Sequence, residues 1–187
     1  MTITSSTTKW GLIGRWLLAF IGFPIGGGLT YLIIGAVDSP LKGVIGGAIA
    51  GAFIGGAQWL ALRSHRDVDP TWIAVTSAGL AAGVGLSTAL LGTDTDVNSI
   101  VGRAAITGVI WGAAQAYQLH RKGGASIVWA LAVALAYTIA WPVTHLVIKD
   151  NVSMGYVVFG SSGAILFQLI MLIAVLRQRV SPESANQ

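Results

Sequence analysis

The sequence predicts an all-α integral membrane protein: six transmembrane helices paired as three helical hairpins, with a pseudo-threefold internal repeat. Three observations predict it. The 187 residues are 54% hydrophobic and only 10% charged, against about 25% charged in a soluble domain. Six stretches, each near the roughly 20 residues needed to cross a bilayer, are almost free of charge. The chain also resembles itself at a shift of 57 residues.

Residues 16–37 form the first predicted span; they carry no charge and end at Asp38-Ser39-Pro40. Residues 44–62 form the second and residues 72–92 the third, which follows Asp69-Pro70. The fourth, residues 100–119, carries Arg103 in its first turn, and Asn98 or Ser99 is the expected N-cap. The fifth, residues 125–148, follows Gly123-Gly124 and contains only His145. The sixth is residues 153–176. Pro24 and Pro142 predict kinks in the first and fifth spans. The connections are too short to hold a soluble domain, so one transmembrane domain covers residues 10–179, flanked by polar segments at 1–9 and 180–187. The Ser/Thr-rich start lacks a signal-peptide layout.

Cysteine is absent, which excludes thiol catalysis, Cys-zinc sites and disulfide staples. The net charge is +4, but the basic residues are few and dispersed. That pattern indicates membrane topology and excludes a nucleic-acid partner. Lys9, Arg15, Arg63, Arg66, Arg121, Lys122, Arg177 and Arg179 fall on one side of the six spans, and Lys42, Arg103 and Lys149 on the other. The positive-inside rule then places both termini in the cytoplasm of a bacterial inner or photosynthetic membrane. Trp10, Trp16, Trp72 and Trp129 are expected near the cytoplasmic interface, where indole is favoured.

The repeat aligns Gly55-Gly56-Ala57-Gln58-Trp59 with Gly112-Ala113-Ala114-Gln115-Ala116, and Trp72 with Trp129. A weaker third copy contains Gly160, Ala164 and Gln168, and Trp16 stands 56 residues before Trp72. Each hairpin starts and ends on one side, so the copies are parallel repeats about an axis along the membrane normal. Gly43, Gly47, Gly51 and Gly55 recur every four residues on the second span. Gly79 and Gly83 lie on the third span, Gly108 and Gly112 on the fourth, and Gly22 and Gly26 on the first. Such small-residue faces predict close helix packing, the glycine-zipper pattern.

Gly55-x-x-Gln58-Trp59-x-x-Leu62-Arg63, followed by Trp72 and Gly79-x-x-x-Gly83, resembles a group of small bacterial multi-pass proteins of the cyanobacterial and Chloroflexi type. These carry repeated G-x-x-Q-W-x-x-L-R helices. The match is good over residues 47–83 and loose over residues 108–141, where Ala116 replaces Trp and His120 replaces Arg. The resemblance implies fold and lineage and no catalytic residues. The P-x-[DE]-x-x-[KR] signature of three-hairpin carriers and the paired N-P-A turns of aquaporin-like channels are missing.

Polar groups in hydrocarbon are costly and are the default functional candidates. Gln58, Gln115 and Gln168 hold equivalent repeat positions; Gln58 lies five residues before Arg63, about 7.5 Å deeper. They predict a polar layer that either binds a ligand head group or locks the bundle by interhelical hydrogen bonds. Tyr117, Tyr137 and Trp141 would complete a ligand pocket with Gln58 and Gln115. His65 and His120 belong to one side and His145 to the other, so no three-His metal centre is expected. Asp94-x-Asp96-x-Asn98 opens like a calcium loop but lacks the later glycine and glutamate, and reads as a helix cap. Asp67-x-Asp69 before Pro70 reads the same way.

No cofactor is required by these residues; haem, pigment or lipid are the conceivable groups. With no embedded carboxylate and no nucleophile–base set, the chain reads as a non-enzyme. The leading expectation is an accessory or structural subunit of a bacterial membrane complex, in contact with membrane lipid and with protein partners or further copies of itself. A small-molecule transporter or substrate-binding component, and a self-assembling scaffold, are the alternatives.

Overall fold

The computed structural model describes residues 5–64, 68–121, 126–148 and 155–177. These form α1 (Ser5–Leu18), one 3-10 turn (Ala19–Ile21), α2 (Gly22–Ile34), α3 (Pro40–Leu62), α4 (Thr71–Leu91), α5 (Val97–Arg121), α6 (Ser126–Ile148) and α7 (Gly155–Arg177). No strand occurs among the described residues. Five helical stretches are long and apolar enough to cross a membrane: Lys9–Ile34, Pro40–Leu62, Thr71–Leu91, Val97–Arg121 and Ser126–Leu146. Ser162–Arg177 is a shorter apolar stretch within α7. The chain is an all-α, multi-pass membrane protein.

The first span begins earlier than the charge-free stretch, because helical hydrogen bonding runs straight through Lys9 and Arg15. Long cationic side chains bury their stems and carry their charge to the interface, so they do not end a helix. The 3-10 turn immediately precedes α2, in which Pro24 is the third residue. Proline has no N–H to donate, and its ring crowds the carbonyl four residues earlier, here that of Phe20 inside the turn. Pro142 lies inside α6, which continues to Ile148.

The helix ends follow local chemistry. Ser39 caps α3, its hydroxyl accepting from the Lys42 amide at 3.4 Å, with Pro40 at the first helical position. Asp96, and not Asn98 or Ser99, caps α5. Its carboxylate accepts the Asn98 and Ser99 amides at 3.0 and 3.1 Å. Asn98 and Ser99 supply first-turn amides that have no helical acceptor, so the acceptor must stand before them. Asp69 accepts from the amide and hydroxyl of Thr71 as α4 begins. Gly35 and Gly92 end α2 and α4 at φ +70°, a conformation that costs other residues more. The paired positions 35 and 92, 39 and 96, and 40 and 97 all differ by 57 residues.

The spans form a closed ring. Each of α3, α4, α5 and α6 packs on its sequence neighbours, and α7 packs on both α6 and the first span. Backbones meet at glycine. A Cβ on Gly47 would lie 2.5 Å from the Leu80 carbonyl oxygen, and one on Gly51 would lie 2.6 Å from Ser77 Cα. Gly43 and Gly55 face α4 along the same line. Gly79 and Gly83 bring α4 onto Trp111 and Thr107 of α5, and Gly108 and Gly112 bring α5 onto Ala134 and Ala130 of α6. Lipid supplies no hydrophobic force between helices, so this close contact supplies dispersion instead.

The ring's interior is filled by aromatic side chains. Trp111 stacks on Phe167 at 5.0 Å, and Phe23 and Tyr137 pack around that pair. Alternation of helix direction puts Lys9, Arg15, Arg63, Arg121 and Arg177 at one end, here termed the basic end. Lys42 and Arg103 lie at the other. Arg103 reaches the Gly92 and Asp94 carbonyls there.

Two outcomes follow. Gly47→Ala drives a methyl into α4 backbone and is expected to cost about 1–3 kcal/mol. Gly56→Ala, with nothing within 4 Å of its Cβ position, is expected to be neutral. Unfolding in mild detergent with increasing denaturant checks the difference. At the α5 cap, hydrogen bonds from the Ser99 hydroxyl, then from the backbone, hold the Asp96 carboxyl below its usual value of 3.8. A depressed folded-state value means that the cap's stabilisation is present above the unfolded value and lost as pH falls through the folded one. Asp96→Asn is therefore expected to flatten the acid limb of a stability-against-pH curve below about pH 4.

Candidate functional site

The buried glutamines Gln58, Gln115 and Gln168, with Thr76, form a polar layer toward the basic end. It begins with the small-residue faces. Gln58 follows Gly51 and Gly55 by seven and three residues, and Gln115 follows Gly108 and Gly112 by the same steps. Helical periodicity keeps each glutamine on the glycine face. The next helix presents an indole there: Trp72 on α4 and Trp129 on α6, each 14 residues after its glutamine.

Trp72 Nε1 donates to Gln58 Oε1 at 3.2 Å, and Trp129 Nε1 donates to Gln115 Oε1 at 2.9 Å. Gln115 Nε2 donates to Gln58 Oε1 at 2.9 Å and to Thr76 Oγ1 at 2.8 Å. One amide thus joins α3, α4, α5 and α6. Gln168 pairs with Trp16 differently. Trp16 Nε1 donates to the Gln168 carbonyl, and Gln168 Nε2 donates to the Trp16 carbonyl, both at 3.0 Å. Gln58, Gln115, Gln168 and Thr76 are all fully buried. The indoles of Trp72 and Trp129 meet edge to face at 5.5 Å, and those of Trp16 and Trp129 at 6.0 Å.

Trp16, Trp72 and Trp129 therefore do not form an interfacial belt. They share a depth but turn inward, because each indole N–H has an acceptor inside the ring. Trp10, in contrast, is exposed. The six expected site residues divide four ways. Gln58 and Gln115 bond to each other, and Gln168 bonds to Trp16. Tyr137 and Trp141 lie together at 5.9 Å, beside Trp111. Tyr117 is 64% exposed on the outer face of α5, and the structure does not bring it to the others.

Sequence reasoning missed Thr76 and the inward turn of the three indoles. The signal available was the constant step of 14 residues from glutamine to tryptophan. A second polar cluster lies nearer the surface, where Gln118 Nε2 donates to Thr71 Oγ1 at 2.5 Å and to Asp69 Oδ1 at 3.3 Å, clipping α5 to the start of α4. Among the described residues no three His, Cys, Asp or Glu side chains converge; His65 lies outside the described residues. Comparison with protein families, curated proteins and solved structures finds no match.

Chemically, the layer offers neutral amides and indoles and no charged group. The bonds it makes run between helices, which suits a lock; Gln58 Nε2 and Gln168 Oε1 are buried with no partner among the described residues. Gln115→Leu removes three interhelical bonds. At about 0.6 kcal/mol each the expected loss is about 2 kcal/mol. Gln58→Leu removes two bonds and is expected to cost about 1 kcal/mol. Denaturant titration of the two variants in one detergent checks the order, Gln115 above Gln58.

Proposed function

We propose that the chain is a non-enzymatic accessory or structural subunit of a larger bacterial membrane complex. The observation that carries this reading is the bonding of the Gln58–Gln115 layer, whose amides reach indoles and a threonine of neighbouring helices. The stacked Trp111–Phe167 pair filling the ring beyond it supports the same reading. A ligand-binding or transporting protein needs polar groups that converge on space. Here Gln115 is bonded at both ends of its amide to three other helices, while Gln58 Nε2 and Gln168 Oε1 are buried with no partner among the described residues.

A second observation favours a protein partner. The outer face of α4 exposes Ala74, Ala78 and Ala82 at four-residue steps, where α6 and α7 expose Leu131, Leu135, Ile165 and Leu169. Small outward residues let another helix approach closely. The matching 57-residue steps at caps, glutamines and tryptophans support an origin by repetition of a two-helix hairpin. The excess of cations at one end supports cytoplasmic termini in a bacterial inner or photosynthetic membrane. The resemblance to small cyanobacterial and Chloroflexi-type membrane proteins supports the same lineage.

Extraction from the native membrane in mild detergent, followed by native mass spectrometry, tests the reading. A reproducible heteromeric mass is expected, released by Ala78→Leu with the chain still folded. A lone chain in every detergent overturns the subunit reading. A symmetric multiple of 19.4 kDa replaces it with a self-assembling scaffold.

A further inference from the structure

The hydrogen bonds of the polar layer fall into two groups that share no bond. Gln115 and Gln58 gather α3, α4, α5 and α6. The reciprocal pair of Trp16 and Gln168 joins the first span to α7. Each group leaves one amide atom over. The donor Gln58 Nε2 and the acceptor Gln168 Oε1 are both buried with no partner among the described residues. An unpaired amide group costs free energy, most of all in hydrocarbon. One group needs an acceptor and the other a donor, and a single small molecule that is both satisfies the two.

The repeat shows what stands at the equivalent place. Gln115 Nε2 directs its two protons to Gln58 Oε1 and to Thr76 Oγ1. Thr76 belongs to α4, the helix between those of the two glutamines. Around the ring, the helix between Gln58 and Gln168 is the first span, and the residue 57 positions before Thr76 is Ala19. Ala19 is buried and carries no hydroxyl.

The register puts Ala19 at the right height. A Cβ on Gly26 would lie 2.9 Å from Ala50 Cα, and one on Gly22 would lie 3.0 Å from Ile54 Cα. The first span and α3 therefore run antiparallel in step, and Ala19, one turn before Gly22, is level with Ala57 and Gln58. On the other side, Gln168 Nε2 reaches the Trp16 carbonyl at 3.0 Å. A helical carbonyl points along the chain toward the residue four ahead, so the Gln168 amide lies beside the turn that holds Ala19.

We propose that one water molecule is bound at Ala19, accepting from Gln58 Nε2 and donating to Gln168 Oε1. It stands in for the hydroxyl that Thr76 supplies beside Gln115. Alanine is smaller than threonine by a hydroxyl and a methyl group, space on the scale of one water, whose share of the liquid is about 30 Å³. Its two amide partners are enough to hold a buried water. The water joins the two bonded groups into one network across all six spans. The site stands whether the chain works as a subunit or alone.

Water-selective NOE and ROE spectra of the full chain, isotope-labelled at glutamine in mild detergent, test this with bulk water as the probe. Gln58→Leu identifies the Gln58 side-chain signals by their loss. In the wild type the Gln58 Nε2 protons are expected to show water contacts of opposite sign in the two spectra, the signature of a resident water and not of proton exchange. Ala19→Thr is expected to abolish that contact, because its hydroxyl takes the water's place. Ala19→Val has the same shape without the hydroxyl, displaces the water and leaves both amide atoms unpaired. It is expected to melt about 2–4 °C below Ala19→Thr. No water contact at Gln58 Nε2, a direct bond from it to Gln168, a contact that persists in Ala19→Thr, or an Ala19→Val melting point as high as that of Ala19→Thr overturns the proposal.

Discussion

Everything in this bundle depends on how a buried amide is satisfied where no water can reach it. In hydrocarbon a polar side chain must find its partners within the protein. Gln115 finds them on three neighbouring helices: the Gln58 amide on α3, the Thr76 hydroxyl on α4 and the Trp129 indole on α6. These bonds are directional, so they fix the rotation and height of four consecutive spans at once. Apolar contact alone would tolerate sliding and rotation between helices that are smooth with small residues.

The glycine faces and the glutamine layer are two parts of one design. Gly47, Gly51 and Gly112 let backbones meet at distances that any Cβ would forbid. Tight backbone contact leaves no room for a large side chain between the same pair of helices. The larger groups therefore turn toward the ring's axis, where Trp16, Trp72 and Trp129 fill one level and Trp111, Phe167, Phe23 and Tyr137 another. Most of the large aromatic side chains collect in the middle; Leu, Ile and Val dominate the outside, joined by Trp10, Tyr31, Phe53 and Tyr117 and by alanine on α4.

Much of this was legible in the sequence. Each charge-free stretch falls on a helix, and Asp38-Ser39-Pro40 marked a helix start. The first span was read too short, because Lys9 and Arg15 look like boundaries in one dimension yet extend to the interface in three. The α5 cap was shifted by two or three residues, since Asp96 and Asn98 are both good capping residues and only the amide directions separate them. Gln58 and Gln115 were found by their shared shift, but a repeat does not state which way a side chain turns. Burial of Trp16 was hidden most deeply: its partner Gln168 lies 152 residues away, at a step that departs from the regular 57.

The amide layer acts as a lock between helices. A double-mutant cycle on Gln58→Leu and Gln115→Leu, with unfolding free energies measured in one detergent, tests it most directly. The double variant is expected to lose about 0.6 kcal/mol less than the sum of the two single losses, because the shared Gln58–Gln115 bond can be lost only once. Strictly additive losses, or two single variants as stable as the wild type, would contradict it.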